Sequence, residues 1–495
     1  MLDGFFIGYT TPILVSGVCL LALWYSTRRP SGLPPGPRGV PVLGNLVSMK
    51  PDFREQFQEW RKQYGDLFTL YLGNRLTIVL NGYDTVKEAL VKNSDVFAVR
   101  PYAVVFNDLF QNKGVISSNG EVWKEQRRLT LSTLRDFGMG KNILQEKINE
   151  EVQVCLEVIA DQKGHKYDTD PIIQTSVSNI ICSMVFGRRF QHDDPLFIEY
   201  LKKTDENFKA AGKLGGLNFI PFAKHLPGDL FLYHRTVKNI AFYEDRLIKP
   251  SIEEHLKAFD ENNIDDFIAA YIREMKVKEK QGVETSIGFD NLVKVVGDLF
   301  IAGTDTTSTT IQWILLYLTM HQDIQAKCFR EIEDNIGTEK RPEMTDKLKL
   351  PFIEATITEV QRIANISPIA GFHGVTEDIV LKGYHLPAGC IIFPNLDSIM
   401  MDPEIWENPG QFRPERFLSA EGKFVKPEEF IPFSLGKRAC PGESLARMEL
   451  FLFITGLVQR FHFLPPEDEP PLSKEPLPGA VLKPQPFKVM SVPRQ

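Results

Sequence analysis

One cysteine of this chain stands where a thiol could do chemistry. In FIPFSLGKRACPGESLARMELFLF, which begins at Phe430, Cys440 lies between a glycine-containing loop and a segment predicted to be an amphipathic helix. Proline is favoured at the first position of a helix, so a helix that begins at Pro441 would point unpaired backbone N–H groups and its positive end at the sulfur. Arg438 adds a cationic side chain two residues earlier. This environment is expected to stabilise a thiolate.

Three interpretations of Cys440 are open at this point. A structural free cysteine is the simplest. A nucleophile is the second, although we find neither a GxSxG-like elbow nor a cysteine-peptidase signature. The third is a thiolate ligand to haem iron. A choice among the three requires other motifs of the chain.

A second stretch places small and polar residues inside a predicted helix. IAGTDTTSTTIQW, which begins at Ile301, contains five threonines, a serine, an aspartate and a glycine, all of poor helix propensity. Ala302, Gly303 and Thr306 share one helical face, where two minimal side chains leave room for a flat or small ligand. The Thr306 hydroxyl lies one turn away from this space. The alternative is a structural polar seam, with hydroxyls bonded to carbonyls one turn earlier.

These two stretches require a mainly helical scaffold. The segment from Phe289 to His321 is predicted to be one helix of about 50 Å. DLFTLYLGNRLTIVLNG predicts a hairpin that turns at Gly73 and Asn74, and YDTVKEALVKN a short helix. KGYHLPAGCIIFPNLDSIM returns to residues typical of strands, and the last 35 residues are extended and rich in proline. The fold class expected is mainly α with small β-sheets.

The N-terminus has the properties of a membrane anchor. GFFIGYTTPILVSGVCLLALWY, which begins at Gly4, carries no charge and is about 33 Å long as a helix, enough to span a bilayer. Two arginines follow it, so the positive-inside rule places the remainder in the cytosol. We expect a transmembrane anchor over 1–27, a basic proline-rich linker over 28–50 and one large domain over 51–495. A cleaved signal peptide is the alternative.

The composition excludes several classes of protein. At 495 residues and 43% hydrophobic content the chain can bury a large core. A net charge of −7, without a long basic run, C2H2 spacing or RNP-type segment, argues against nucleic acid as a partner. The six cysteines are scattered and contain no CxxC pair, which is typical of a reducing compartment.

Four motifs together resemble those of the cytochrome P-450 superfamily. The haem-thiolate signature F-x-x-G-x-R-x-C-x-G is matched at Phe433, Gly436, Arg438, Cys440 and Gly442. The oxygen-binding helix motif is matched at 302–307, ExxR at 359–362 and the PERF segment at 412–417, in the order of the family. With the N-terminal run and the PPGP linker, the resemblance covers essentially the whole chain. WKEQRR, GKRACPGESLARMELFLF and AGTDTTSTT are most similar to the microsomal family-two enzymes of animals.

The resemblance implies roles for residues of the haem site. Cys440 would be the axial ligand of the haem iron, with Phe433 shielding its sulfur. Gly436 and Gly442 would let the backbone pass close to the porphyrin. Side chains that donate hydrogen bonds would bind the propionates of haem b: Arg100, Trp123, Arg127, His373 and Arg438. GFHGVTED lacks the proline that commonly precedes the position of His373, which leaves that loop open.

The resemblance also implies catalytic, structural and substrate-binding residues. The dioxygen site would be formed by Ala302, Gly303, Asp305 and Thr306. The ionic scaffold of the thiolate loop would be formed by Glu359, Arg362 and Arg416. Substrate contacts are expected from 101–120, 205–245 and 369–372, and from Phe300, Ala302 and Val481.

Two surfaces are expected to contact partners. LNFIPFAKHLPGDLF is apolar for an exposed connection, so it is a candidate for contact with membrane lipid beside the anchor. Basic residues flanking the cysteine form a candidate docking face for an acidic reductase, with solvated charge as the alternative: Lys124, Arg128, Arg135, Lys141 and Lys437.

The function expected from this resemblance is that of a haem-thiolate monooxygenase. It would insert one atom of O2 into a lipophilic substrate, a fatty acid, steroid or xenobiotic, by hydroxylation or epoxidation. NADPH-cytochrome P-450 reductase would relay electrons, so that NADPH is not bound directly, and cytochrome b5 is a second candidate partner. The expected location is the endoplasmic reticulum membrane, with the catalytic domain facing the cytosol. The alternatives are an isomerase or dehydratase of this fold acting on hydroperoxides, and a non-catalytic haem-binding protein.

Overall fold

The computed structural model describes residues 16–18, 30–137 and 142–494. Helices dominate these residues, and small sheets lie at their margins, as the sequence predicts. In chain order the α-helices are α1 Arg54–Tyr64, α2 Tyr83–Lys87, α3 Ser94–Phe97, α4 Val104–Phe110, α5 Gly120–Asp136, α6 Asn142–Ala160, α7 Asp170–Val185, α8 Pro195–Leu217, α9 Tyr233–Tyr243, α10 Lys249–Lys257, α11 Phe267–Gln281, α12 Phe289–Met320, α13 Gln322–Ile336, α14 Pro351–Ala364, α15 Asp397–Met400 and α16 Glu443–Arg460. Shorter turns are π-helical at Glu88–Lys92 and Glu244–Ile248, and 3-10 at Leu46–Ser48, Pro221–His225, Met344–Lys349 and Pro414–Phe417.

The strands form four small sheets. In chain order they are β1 Leu67–Leu72, β2 Arg75–Leu80, β3 Tyr167–Asp168, β4 His373–Gly374, β5 Ile379–Leu381, β6 Tyr384–Leu386, β7 Ile391–Pro394, β8 Phe461–Leu464, β9 Pro476–Leu477, β10 Lys483–Pro484 and β11 Lys488–Pro493. The sheet orders are β1-β2-β7-β4, β3-β11-β8, β5-β6 and β10-β9. The predicted hairpin is confirmed, with Leu72 opposite Arg75 across the turn.

Helix α12 is the centre of the core. It spans 32 residues, one fewer than predicted, and packs against α7, α14 and α16. In its polar half several hydroxyls donate to carbonyls one turn earlier, as in Thr306 to Ala302 (2.8 Å) and Thr310 to Thr306 (2.9 Å), which satisfies these hydroxyls inside the helix. The hydrogen bonds that the polar-seam interpretation predicts are therefore present. They do not decide whether the accessible residues Ala302 and Thr306 also have a catalytic role.

The N-terminal predictions meet the structure only in part. Apart from 16–18, the anchor predicted over 1–27 lies outside the described residues, and within those residues no helix is long and apolar enough to cross a membrane. The predicted linker packs on strand β1 from Pro34 onward. The Thr69 hydroxyl donates to the carbonyl of Pro34 (2.7 Å), and the Asn45 side-chain oxygen accepts from the backbone N–H of Tyr71 (2.9 Å). These contacts attach the linker to the folded unit.

Two local predictions need correction. Helix α16 begins at Glu443 with Gly442 as its N-cap, so Pro441 is not the first helical residue. The reason is that Gly442 has a non-helical backbone conformation. The segment predicted as strands after Lys382 does form β6 and β7, but its end is the single helical turn Asp397–Met400.

Candidate active site

The loop before Cys440 is a tight, fixed structure. The backbone N–H of Cys440 donates to the carbonyl of Phe433 (3.0 Å), and Ser434 and Gly436 both have positive φ, 63° and 76°. A Cβ on Gly436 would lie 1.9 Å from the carbonyl oxygen of Leu90, so a side chain there would collide with backbone. Gly436 therefore allows close approach to Leu90 in the π-helical turn, which is a different reason from the porphyrin contact expected from the resemblance.

Gly442 lies in open surroundings. A Cβ there would have one protein neighbour within 4 Å, the Cys440 sulfur at 3.9 Å. Protein atoms among the described residues therefore leave the space beside Gly442 free for a flat group, as the resemblance implies.

The electrostatics of Cys440 differ from the prediction. The side chain has accessible surface, yet it lies deep enough among protein atoms that burial raises the pKa of its thiol. The backbone N–H of Gly442 and the charge of Arg127 act in the opposite direction, and the carboxylate of Glu443 adds to the increase. The expectation of a stabilised thiolate is wrong for the protein alone, because burial outweighs the N–H groups. A bound metal ion would reverse this balance, since a coordinating thiol is deprotonated.

Three arginines converge beside this cysteine. Arg438 donates to the carbonyls of Ala98 and Ser118 (2.7 Å each), and Arg127 donates to the carbonyl of Ala439 (2.6 Å). Arg100 donates to the carbonyl of Phe372 (2.7 Å). The structure therefore brings together residues that the resemblance implies for binding propionates, from four separate parts of the chain.

Asn119 is a residue of this cluster that sequence reasoning missed. It is the N-cap of α5, and its side-chain oxygen accepts from the backbone N–H of Arg100 (2.6 Å) and from the guanidinium group of Arg438 (3.1 Å). The available signal is local, since asparagine before a predicted helix is typical of an N-cap. Its link to two arginines depends on the tertiary fold.

The arginine cluster is electrostatically incomplete. Among the described residues none of Arg100, Arg127 and Arg438 has a carboxylate partner. Burial, with repulsion between the guanidinium groups, lowers the pKa of Arg100 to about 10 and that of Arg438 to about 8. Arg438 Nη1 and the indole N–H of Trp123 are also buried without a hydrogen-bond partner. Two adjacent carboxylates would relieve both costs, so these residues fit the two propionates of haem.

His373 lies at the edge of the cluster in a different state from the one expected. Its ring Nδ1 is hydrogen-bonded to the carbonyl of Phe97 (2.7 Å), and it is 3% exposed. Burial and the nearby Arg100 lower the pKa of His373 to about 3. In the protein alone His373 is therefore a neutral, well-positioned side chain and not the cationic donor implied by the resemblance.

Helix α12 leaves one face accessible near Ala302. Ala302 is exposed although Thr304 and Asp305 are fully buried, and Thr306 is half-buried on the same face as Ala302. Leu299, three residues before Ala302, is also only partly buried. These residues form the accessible side of the helix, where the resemblance implies the reaction cavity.

The assignment of Phe300 to the substrate pocket needs correction. Phe300 is fully buried and packs edge-on against Phe186, with ring centroids 6.4 Å apart. It lies on the core side of the helix, about 100° from Leu299. Leu299, one turn before Ala302, is the partly buried residue on the accessible side, and the helical period counted from Ala302 points to it. Val481 is nearly buried, at 6% exposure.

Asp305 faces away from Thr306. Its carboxylate accepts from the Lys483 ammonium group (2.7 Å) and from the Gln174 side chain (3.3 Å). Burial raises the pKa of Asp305, and Lys483 partly offsets that effect. Lys483, on β10, is a partner that no local motif indicates.

The ionic scaffold has the geometry that the resemblance implies. Arg362 forms two hydrogen bonds with the Glu359 carboxylate (2.7 and 2.9 Å), and Arg416 forms a third (3.0 Å). Arg362 also donates to the carbonyls of Met400 (2.8 Å) and Pro409 (2.7 Å). Glu359 and Arg362 have no exposed surface, so the network ties α14 to the segment that precedes the thiolate loop.

The basic face is only partly free. Lys124 pairs with Glu121 (2.7 Å) and Lys437 with Asp95, whereas Arg128 is exposed. Lys141 lies outside the described residues.

Comparison with known proteins decides the family. The family model for Cytochrome P450 matches residues 34–490. The chain belongs to the cytochrome P450 family. Cytochrome P450 2H2 of Gallus gallus is 39% identical over 99% of this chain and 100% of its own length. Cytochrome P450 2J2 of Homo sapiens is 40% identical over 96% of this chain and 94% of its own, and Cytochrome P450 2B4 of Oryctolagus cuniculus is 39% identical over 92% and 93%.

Membership decides the enzyme class. This cytochrome P450 is a haem monooxygenase, an oxidoreductase that acts with a redox partner on a small molecule and O2. Its similarity to microsomal family-two relatives favours the endoplasmic reticulum as its location.

Proposed function

We propose that this cytochrome P450 binds haem b through Cys440 and oxygenates a lipophilic small molecule with electrons that a reductase relays from NADPH. The observation that carries the proposal is the cluster of Arg100, Arg127 and Arg438, to which no residue in the described part of the chain supplies a carboxylate partner, beside an accessible thiol. Bound haem would supply the activation of dioxygen. The three arginines and the Trp123 N–H would bind its propionates, and Phe433 would shield the sulfur.

Residues of helix α12 would guide the reaction on the cavity side. Ala302 leaves space there, and the Thr306 hydroxyl, which donates to the carbonyl of Ala302, keeps its lone pairs available to accept a proton donor. Gly303 does not share that role, because a Cβ on it would lie 2.5 Å from the Ile181 side chain, so this glycine allows α7 to pack closely instead. Asp305 would supply protons from the opposite side of the helix. In this arrangement the Thr306 hydroxyl orients the proton donor, and the Asp305 carboxyl group provides the proton.

The substrate is proposed to be lipophilic because of the surface near the expected entrance. Phe222 and Leu230 are 70% and 64% exposed in the segment between α8 and α9. Val42, in the linker, is 79% exposed, and the carbonyl of the adjacent Leu43 accepts from Gly73, which lies against Phe219. These apolar side chains support contact with membrane lipid, from which fatty acids, steroids or xenobiotics could enter.

The anchor, orientation and partners are part of the same proposal. Residues 1–27 would span the endoplasmic reticulum membrane and leave the catalytic domain in the cytosol, where exposed Arg128 contributes to a docking face for NADPH-cytochrome P-450 reductase, with cytochrome b5 as a second partner. Protease added to intact microsomes should digest the domain. Protection until detergent is added would contradict this orientation.

Reconstitution tests the proposed function. Purified protein, the reductase and NADPH are incubated with a panel of fatty acids, steroids and drugs, and products are identified by mass spectrometry with oxygen-18 gas. We expect NADPH-dependent incorporation of one labelled oxygen atom into at least one substrate. Rearrangement of a hydroperoxide without NADPH would favour the isomerase or dehydratase instead, and haem binding without any turnover would favour the non-catalytic protein.

A further inference from the structure

A polar pocket opens to solvent behind helix α12, on the side away from the cavity. Its volume is about 190 Å³, enough for several water molecules. It lies between β10, α7 and α8, and its polar lining includes Asp170, Asp205, Lys209, Gln312 and Lys483.

Lys483 joins this pocket to the interior. Its ammonium group lies 3.0 Å from the Asp205 carboxylate at the pocket and 2.7 Å from the buried Asp305 carboxylate. The Lys483 side chain is 10% exposed and that of Asp305 is fully buried. One cation therefore bridges a solvent-facing acid and an acid that solvent does not reach.

Asp305 has unused hydrogen-bonding capacity at the inner end. Lys483 and Gln174 both bond to Oδ1, whereas Oδ2 is buried without a hydrogen-bond partner. A buried carboxylate oxygen without a partner is costly, and a proton on it would remove that cost.

We propose that Lys483, together with Asp205, forms a proton-entry port that joins the solvent-facing pocket to the buried carboxylate of Asp305. This inference rests on the proposed function of Asp305. Lys483 acts in it as a positioning residue, since it touches neither substrate nor haem.

The charges around Asp305 support this arrangement. Burial raises the pKa of Asp305, Lys483 opposes the increase, and the nearby Asp205 and Asp170 add to it. For Lys483, burial alone would lower the pKa, but the two carboxylates raise it above its ordinary value. Lys483 is therefore a poor proton donor, and water in the pocket is the source. When the Lys483 ammonium group moves toward Asp205, a pocket water takes its place beside Asp305 and donates a proton to the carboxylate. That water is reprotonated from bulk, and Asp305 returns to the carboxylate when it releases the proton inward.

Lys483→Met and Lys483→Arg test the port in the full-length, haem-loaded protein. Lys488→Met is a matched control, because Lys488 lies on the neighbouring strand and pairs at the surface with Glu469. Without turnover, infrared spectroscopy at neutral pH should show a carboxylic acid C=O band in Lys483→Met that disappears when Asp305→Asn is added. During turnover, Lys483→Met should form several-fold more hydrogen peroxide per NADPH and show a larger solvent deuterium isotope effect. Lys483→Arg and Lys488→Met should match the wild type.

Unchanged infrared and isotope measurements in Lys483→Met would overturn the port. If Lys483→Met does not load haem, Asp205→Asn replaces it, and here too a larger solvent isotope effect supports the port while an unchanged one contradicts it. The two proposals fail in different ways. Absence of reductase-dependent NADPH oxidation in the wild type would contradict the proposed function. Normal wild-type turnover, together with infrared and isotope measurements that Lys483→Met and Asp205→Asn leave unchanged, would contradict only the port.

Discussion

The guanidinium group of Arg438 lies over the indole ring of Trp123, with its central carbon 3.8 Å from the ring centroid. The two residues are far apart in sequence and meet beside Cys440, and each carries a buried N–H without a hydrogen-bond partner. A cation stacked on an aromatic ring is held in a defined plane, so both unpaired groups point in fixed directions. This pair is the best-defined part of the site for an anionic ligand.

Arg438→Lys should weaken haem retention while the fold persists. Lysine keeps the charge but loses the planar fork that reaches Ala98, Ser118 and Trp123 at once. Loss of one or two charge-assisted hydrogen bonds corresponds to about 1.5–3 kcal/mol, or on the order of tenfold to a hundredfold faster transfer of haem to an acceptor protein. Arg128→Lys, at an exposed position of the same helix as Trp123, is the control and should behave as wild type. Equal haem retention in Arg438→Lys would remove Arg438 from the haem site.

Glu359→Gln should destabilise the protein strongly. The carboxylate is fully buried between Arg362 and Arg416, and the substitution leaves two buried cations without their counter-charge. Removal of one partner from such a network costs about 3–5 kcal/mol. Thermal unfolding should show a large fall in Tm, and Glu407→Gln, which alters an exposed partner of Arg413, should show almost none. A Tm within the range of that control would mean that the buried network contributes little.

Glu449 on α16 should make stability depend on pH. Complete burial raises the pKa of Glu449 from 4.5 to about 8, although Thr307 is close enough to lower it slightly. The folded state therefore holds a proton that the unfolded chain releases, and stability should decline by up to about 1.4 kcal/mol per pH unit as pH rises between those two values. Glu449→Gln should flatten this dependence and be more stable than wild type at alkaline pH. Urea unfolding across the pH range measures it, with Glu404→Gln, at an exposed position, as the control. Parallel curves for wild type and Glu449→Gln would contradict the buried neutral acid.

Thr306→Ala should uncouple NADPH use from product formation. The variant loses the hydroxyl that bonds to the Ala302 carbonyl and faces the cavity, while the core side of the helix is unchanged. Haem content and substrate binding should be preserved, hydrogen peroxide should rise, and product should fall by on the order of a hundredfold, the usual contribution of a placed proton donor. Thr310→Ala removes the same kind of bond one turn later, at a buried position, and should stay coupled. Full coupling in Thr306→Ala would reduce the polar seam to a structural feature.

The parts of the site that sequence predicts are those set by local spacing. The Cys440 loop, the pair Glu359 and Arg362, and the shared face of Ala302 and Thr306 all follow from offsets of a few residues. Helix α12 is predicted to within one residue, because the apolar segments on both sides of its polar stretch override the poor helix propensity of that stretch. The assignment of Phe300 to the substrate pocket rests on the resemblance alone, whereas its burial against Phe186 is set by tertiary packing.

Other features depend on contacts between distant parts of the chain. Lys483 and Asp305 are 178 positions apart, and neither lies in a motif that names the other. The collision that requires glycine at 436 is with Leu90, in a π-helical turn that local propensity does not predict. Whether the pKa of the Cys440 thiol is raised or lowered depends on how many protein atoms surround the sulfur. The sequence does not show that number.

The most direct test of haem-thiolate ligation is the absorption spectrum of the reduced carbon monoxide complex in wild type and Cys440→Ser. Wild type should show the red-shifted band that marks a thiolate ligand, and Cys182→Ala, which alters a buried cysteine of the core, should retain it. Cys440→Ser should lose that band whether or not haem remains bound. Survival of the red-shifted band in Cys440→Ser, or its absence from haem-loaded wild type, would contradict Cys440 as the axial ligand.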